Sequence, residues 1–315
     1  MRVVFFGTPE FAVPSLEAVM SRSEVVGVVT QPDRPRGRGL RVQPPPVADV
    51  AARYGLDVRQ PASLRDPAFL QWLREVAPDL VVVVAYGRFI PKEVLEVPRL
   101  GAVNLHPSLL PRYRGPAPIP RAIAAGETET GVTVLEVTEE LDAGDIILQR
   151  AVPIGPEDTS GSLAARLAEE GASLLAEALP LLETGRAVRR PQDPSQATYA
   201  PKLTREEGCI RWGDAATRIA NLVRAFDPWP GTYTVRDGER LLIWRATPHP
   251  GGEGARPGTV LVADDRREPS LVVAAGDGAV ALHEVQPPGG RRMRAADYLR
   301  GHPLRVGEVL GARCP

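Results

Sequence analysis

Leu80-Val81-Val82-Val83-Val84 is an unbroken apolar run of five residues, four of them β-branched. A strand turns successive side chains to opposite faces, so it can be apolar throughout only where both faces are covered. The run therefore predicts a central strand of a parallel sheet with helices on either side. Its surroundings agree. Arg2 to Phe6 and Val25 to Val29 are further short apolar runs, ending at Gly7-Thr8-Pro9 and Gln31-Pro32-Asp33. An amphipathic stretch from Glu10 to Met20 lies between them, and Ala102 to Leu105 follows as a shorter strand. This alternation implies βαβ units.

Gly131 to Val137 and Ile146 to Val152 read as two more strands, and Ser160 to Leu182 as the longest helix, capped by Thr159 or Ser160 and nearing its end at Pro180. The texture changes after Gly185. Residues 186 to 206 hold Arg189-Arg190-Pro191, Asp193-Pro194 and Tyr199-Ala200-Pro201 without an apolar period, as a linker does. Beyond it, one helical segment (Ala215 to Phe226) is followed by strand-like runs at 231–236, 241–246, 259–263, 271–275 and 279–285. Short strands at this spacing predict a small barrel, with the OB-fold as one candidate.

The 315 residues contain no apolar run near the roughly 18 positions that a membrane helix needs. Two cysteines, Cys209 and Cys314, are too few for a disulfide framework or a zinc site, and the four histidines are scattered. We expect a cytoplasmic protein without a metal. The net charge of −1 favours no class of partner, but its distribution is uneven. Between Asp33 and Asp49 the only charged residues are Arg34, Arg36, Arg38 and Arg41. Between Glu96 and Glu127 they are Arg99, Arg112, Arg114 and Arg121, and Arg291-Arg292-Met293-Arg294 adds a third basic patch. Such windows suit a polyanion.

The loop after the first strand, Gly7-Thr8-Pro9-Glu10, lacks the G-x-G-x-x-G pattern of a dinucleotide site. Chemistry concentrates instead at the end of the strand read at Ala102 to Leu105. Asn104 and His106, two residues apart in an extended segment, project to one face. An amide donor beside an imidazole can hold an oxyanion developing on an attacked carbonyl, and the imidazole can move a proton. Asp142, in Leu141-Asp142-Ala143-Gly144, is a turn aspartate by its local sequence, and a carboxylate able to orient His106 if the fold brings it near. No Ser-His-Asp or Cys-His set emerges.

Further motifs extend over nearly the whole chain. They include Phe6-Gly7-Thr8-Pro9-Glu10-Phe11-Ala12, Thr30-Gln31-Pro32-Asp33-Arg34-Pro35 leading to Gly37-Arg38-Gly39, and Val84-Ala85-Tyr86-Gly87. Ser108-Leu109-Leu110-Pro111 with Arg112-Tyr113-Arg114-Gly115, Glu129-Thr130-Gly131-Val132-Thr133, Thr198-Tyr199-Ala200 and Ala225-Phe226-Asp227-Pro228-Trp229-Pro230 continue them. Together with Asn104-x-His106 and Asp142, these closely resemble the methionyl-tRNA formyltransferase family. The Asn-His, Ser-Leu-Leu-Pro and Asp block marks all enzymes that take a formyl group from 10-formyltetrahydrofolate. Glycinamide ribonucleotide formyltransferases share it without the long C-terminal domain, whereas sugar-nucleotide formyltransferases carry such a domain. The Gly-Thr-Pro opening, the arginine loop and the Asp-Pro-Trp-Pro element favour the tRNA family.

The resemblance implies a Rossmann-like α/β fold, an open, mostly parallel sheet with helices on both faces, followed by a smaller OB-like β-barrel. It implies a catalytic domain at 1–189, a linker at 190–206 and a tRNA-binding domain at 207–315. By it, the amino group of methionyl initiator tRNA attacks the formyl group of 10-formyltetrahydrofolate, through a tetrahedral intermediate and with no covalent enzyme intermediate. Asn104, His106 and Asp142 are the implied catalytic residues, and Ser108, Leu109, Leu110 and Pro111 the implied folate-binding loop. Arg34, Arg36, Arg38 and Arg41 would contact the tRNA, and a monomer without metal is expected. Three features depart from the family pattern: Pro107 stands where a small residue is usual, Pro116 replaces an alanine, and Gly39-Leu40-Arg41 lacks lysines.

Overall fold

β1 (Arg2–Gly7) and β2 (Glu24–Val29) open the chain, a hairpin of β3 (Arg34–Arg36) and β4 (Arg41–Gln43) follows, and then come β5 (Val58–Arg59), β6 (Leu80–Val84), β7 (Ala102–His106), β8 (Glu129–Glu136) and β9 (Ile146–Pro153). All but the hairpin form one sheet in the order β5-β2-β1-β6-β7-β8-β9. Pairing is parallel from β5 to β7 and antiparallel across β7, β8 and β9. The expected central strand is indeed β6, lodged between β1 and β7 with all five residues buried.

This computed structural model describes residues 1–36 and 41–311. The chain divides into two compact units: 1–118, 129–153 and 164–201 make the first, and 119–128, 154–163 and 202 onward the second. The order along the chain is therefore not the order in space.

In the first unit both faces of the sheet are covered. Val4, Phe6, Val81, Val83 and Tyr86 pack with Phe69, Trp72 and Leu73 of α3 (residues 67–75, after α1 at 13–22 and α2 at 46–53) and with Val94 of α4 (92–95). Phe6 sits edge-on to Tyr86 at 5.3 Å between ring centres, a favoured aromatic geometry. On the other face, Gly171 of the long helix α6 (160–183, after α5 at 118–124) lies against Leu105. A Cβ at Gly171 would meet Leu105 Cδ2 at 2.5 Å. Leu105 thus faces α6, and its neighbours Asn104 and His106 face away from it. The order reverses at β1, from which the chain runs outward to β2 and then back to β6. In open α/β sheets ligands bind beyond the carboxyl ends of strands at such a switch point.

The second unit holds α7 (Ala216–Ala225), the antiparallel sheet β10-β11-β14-β13-β12, and the short β15 and α8. β10 spans Thr232–Arg236, β11 Glu239–His249, β12 Val260–Ala263, β13 Leu271–Ala274, β14 Ala279–Gln286, β15 Met293–Arg294 and α8 Ala295–Gly301. Its own core joins Trp212, Ile219, Val223, Ile243, Val273 and Leu282. The five expected strands are all present, curved by bulges in β11 and β12 into a half-barrel. Cys209 is buried, and Cys314, the chain's other cysteine, lies outside the described residues.

Candidate active site

β7 ends at His106, so Asn104 and His106 emerge together at the carboxyl edge of the sheet. Asp142 arrives from the turn between β8 and β9, held in the left-handed region with φ of 50°. The fold brings all three together. The Asn104 amide Nδ2 donates to Asp142 Oδ1 at 3.3 Å, and the backbone N–H of Gly115 donates to Asp142 Oδ2 at 2.8 Å. His106 Nδ1 lies 3.6 Å from the same Oδ2, with both side chains at least nine-tenths buried.

The protonation pattern of the imidazole follows from its other nitrogen. His106 Nε2 is 2.9 Å from the Tyr113 carbonyl oxygen. A carbonyl only accepts, so Nε2 carries the proton. In the neutral ring Nδ1 is then an unprotonated acceptor facing a carboxylate, a pair that attracts only when a proton lies between them. The arrangement can hold one proton in that gap. The second N–H of the Asn104 amide has no partner among the described residues and can serve an incoming oxygen.

The loop between β7 and α5 is fixed from beneath. Thr133, fully buried on β8, donates from Oγ1 to the Ser108 carbonyl at 2.6 Å and receives Gln149 Nε2 at 2.9 Å. Gln149 Nε2 also donates to the Leu110 carbonyl at 3.0 Å. Gly115 has φ of 109°, a conformation that glycine tolerates and side chains rarely adopt. A Cβ there would meet Tyr199 at 2.6 Å and the Ala200 carbonyl at 2.9 Å. The residues that crowd Gly115 come from the segment read as linker. Arg114 N donates to Thr198 O at 2.9 Å, and Ala200 N to Arg114 O at 2.7 Å, making a parallel bridge.

Comparison with known proteins gives the family. The Formyl transferase family profile matches residues 1–179, and that of the formyl transferase C-terminal domain matches 202–303. A curated methionyl-tRNA formyltransferase from Moorella thermoacetica is 52% identical over 312 residues, covering 99% of either chain. The chain belongs to the methionyl-tRNA formyltransferase family. Among solved structures, the N-formyltransferase of Helicobacter canadensis, in complex with folinic acid and dTDP-3-aminofucose, has a TM-score of 0.66 at 18% identity, over 89% of this chain and 98% of its own. HypX from Aquifex aeolicus, in complex with tetrahydrofolic acid, gives 0.63 at 24% identity. There the match covers 99% of this chain but only 51% of HypX. These two likenesses speak for the fold alone.

For a member of this family, the loop and arginine placements are instructive. Ser108 is fully buried and its hydroxyl donates to the Arg112 carbonyl at 2.7 Å. Leu110 is buried with Leu135 and Ile146. Leu109 and Pro111 are half-buried. Of the first arginine window, Arg34 donates to Gln31 Oε1 at 2.8 Å, while Arg38 lies outside the described residues. Arg36 and Arg41 are the facing ends of the β3–β4 hairpin.

The second acid-free window is not an open basic surface. Arg99 pairs with Asp79 at 2.6 Å, Arg114 with Glu140 at 3.3 Å and Arg121 with Glu207 at 2.6 Å. The carboxylates missing locally come from elsewhere in the chain. In the third patch Arg292 pairs with Asp227 at 2.6 Å and lies 3.7 Å over the Trp244 ring. Sequence reading missed the Gly115 N–H and the Tyr113 carbonyl as groups around these side chains. Only the positive-φ glycine of Arg112-Tyr113-Arg114-Gly115 left a signal.

Proposed function

We propose that the chain transfers the formyl group of 10-formyltetrahydrofolate to the α-amino group of methionyl initiator tRNA, through a tetrahedral intermediate and without a covalent enzyme intermediate. The observation that carries this reading is the Asp142 carboxylate, which gathers the Asn104 amide, the His106 ring and the Gly115 N–H at the end of β7. Full-length relatives named for methionyl-tRNA formylation support it.

The amine attacks the formyl carbon and the carbonyl oxygen becomes an oxyanion. The bond from that carbon to N10 of the folate then breaks. The amine loses a proton and N10 gains one, so the reaction balances without redox chemistry. Asn104 meets the oxyanion with its unused N–H. His106 meets it with Nε2–H, because an oxyanion is a stronger acceptor than the neutral Tyr113 carbonyl it displaces. Each such donor is worth on the order of 3 kcal/mol in the transition state. The gap between His106 Nδ1 and Asp142 receives the amine's proton.

In the same reading the loop Ser108-Leu109-Leu110-Pro111 lines the folate pocket. Since the Ser108 hydroxyl and the Leu110 side chain are occupied within the protein, the loop acts through its backbone and through Leu109 and Pro111. Arg34, Arg36, Arg38 and Arg41 engage the acceptor end of the tRNA, where phosphate contacts dominate affinity. We assign catalysis to 1–189, a connection to 190–206 and tRNA binding to the OB-like 207–315, in a cytoplasmic monomer that uses no metal. Among the described residues no helix is long and apolar enough to cross a membrane.

The test is formyl transfer from 10-formyltetrahydrofolate to charged initiator tRNA, with charged elongator tRNA and an amino-sugar nucleotide as parallel acceptors. Transfer confined to the initiator is expected. Transfer to the sugar nucleotide alone would keep the site and overturn the acceptor.

A further inference from the structure

Residues 190 to 201 are not a free tether. Arg190 and Ile146 exchange backbone hydrogen bonds at 2.8 and 3.0 Å, and Thr198 to Ala200 bridge to Arg114. Gln192 is carried between these two anchors. Its Nε2 donates to the carbonyl oxygens of Asp142 and Gly144, both at 2.8 Å. Its Oε1 accepts from Arg114 Nε at 3.1 Å and Nη2 at 2.8 Å. Carbonyls only accept and a guanidinium only donates, so the amide can sit only this way round, with both ends saturated.

The two groups that Gln192 joins are the two supports of one carboxylate. Asp142 sits in a left-handed turn, with φ of 50°, and that turn is fixed from outside. Gln192 fixes it by holding the carbonyls of Asp142 and of the residue two further on. On the opposite side, Arg114 precedes Gly115, whose N–H holds Asp142 Oδ2. The Arg114 side chain is 13% exposed, fixed by Gln192 and Glu140.

We propose that Gln192 is a positioning residue for this reaction: it clamps the Asp142 turn to the Arg114-Gly115 loop and sets the distance from the carboxylate to His106 and Asn104. The proposal rests on the role given above to Asp142. Gln192 touches neither His106 nor Asn104 in the described contacts, so it acts through the Asp142 turn and the Arg114-Gly115 loop.

The decisive variant is Gln192→Glu in the full-length enzyme. It keeps side-chain length and the acceptor end toward Arg114, but deletes both donors and sets a charged oxygen against two carbonyls. Turnover is expected to fall roughly 10- to 100-fold, the usual effect of misplacing a reacting group by an ångström or less. KM for the folate should stay within about twofold, because ground-state binding is untouched. Gln192→Met, which removes both polar ends without adding charge, should show the same split and replaces the glutamate variant if that one is unstable. In the double variant with Asp142→Asn the loss should not exceed that of Asp142→Asn alone, as for two residues acting through one group. Wild-type turnover in both Gln192 variants, or losses that multiply in the double variant, would overturn the proposal. If Asp142→Asn itself turned over normally, the reading of Asp142 would fall first, and the role of Gln192 with it.

Discussion

Asp142 has to satisfy two demands at once. Its backbone must hold a left-handed turn, and its carboxylate must receive an amide, an N–H and an imidazole within 3.6 Å. Aspartate is among the few non-glycine residues that visit this conformation readily, so one residue meets both. The donors around it are few, and each is exposed to test. We expect Asn104→Ala and His106→Ala each to lower turnover at least about a hundredfold, the typical cost of losing an oxyanion donor. Steady-state kinetics with saturating folate would check this, and near-normal rates in both would sink the site assignment.

Strands and their ends carry the next level of argument. At the start of β6 the Asp79 carboxylate accepts from Arg2 N at 2.7 Å and from Arg99 Nε at 2.6 Å, tying the entrances of β1, β6 and β7 together. The backbone N–H of Arg2, then the Arg99 guanidinium, hold this carboxyl below the usual carboxylate range. A depressed folded pKa contributes stability that is complete above the unfolded value and disappears as pH falls through the folded one. Asp79→Asn should therefore lower the urea midpoint more at about pH 6 than at about pH 3, below the ordinary carboxylate range, where part of this contribution is already lost. An equal difference at both pH values would contradict the account.

The same scale explains what could be read in advance. β6 was legible because burial on both faces writes a continuous apolar run, and Asn104 and His106 of β7 because a strand puts residues two apart on one face. The helix at 67–75 was not read, although Asp66 caps it by accepting from Ala68 N at 2.9 Å and a proline follows the cap. β5 is two residues long and leaves no period at all. The pairings of Arg99, Arg114 and Arg121 were invisible because their carboxylates lie far along the chain or beyond the window. Gln192 was hidden for a related reason: a strap held by hydrogen bonds has no hydrophobic signature, so it reads as linker.

For the whole molecule, two separate cores have consequences for truncation. The second unit includes 119–128 and 154–163, and it holds them by specific bonds. Gly161 N donates to Asp227 O at 3.1 Å, and Arg224 Nη1 to the Gly155 and Asp158 carbonyls at 3.2 and 3.0 Å. A chain cut after residue 206 strips these segments of their partners. We expect it to melt at a lower temperature than the full chain, yet to bind 10-formyltetrahydrofolate, while KM for tRNA rises at least about tenfold as charged contacts are lost. Trp72 is the one tryptophan left in such a chain, so its fluorescence separates unfolding from loss of affinity. A folded truncated chain that no longer binds folate would contradict the assignment.

The strap also decides where this enzyme can be cut and rejoined. A chimera made by transplanting a foreign C-terminal domain at the composition change near residue 186 would carry away Arg190, Gln192 and Thr198 to Ala200 with the discarded half. The recipient would keep Asn104, His106 and Asp142 and lose what brackets them. A seam placed just after Pro201 leaves the strap with the sheet it serves.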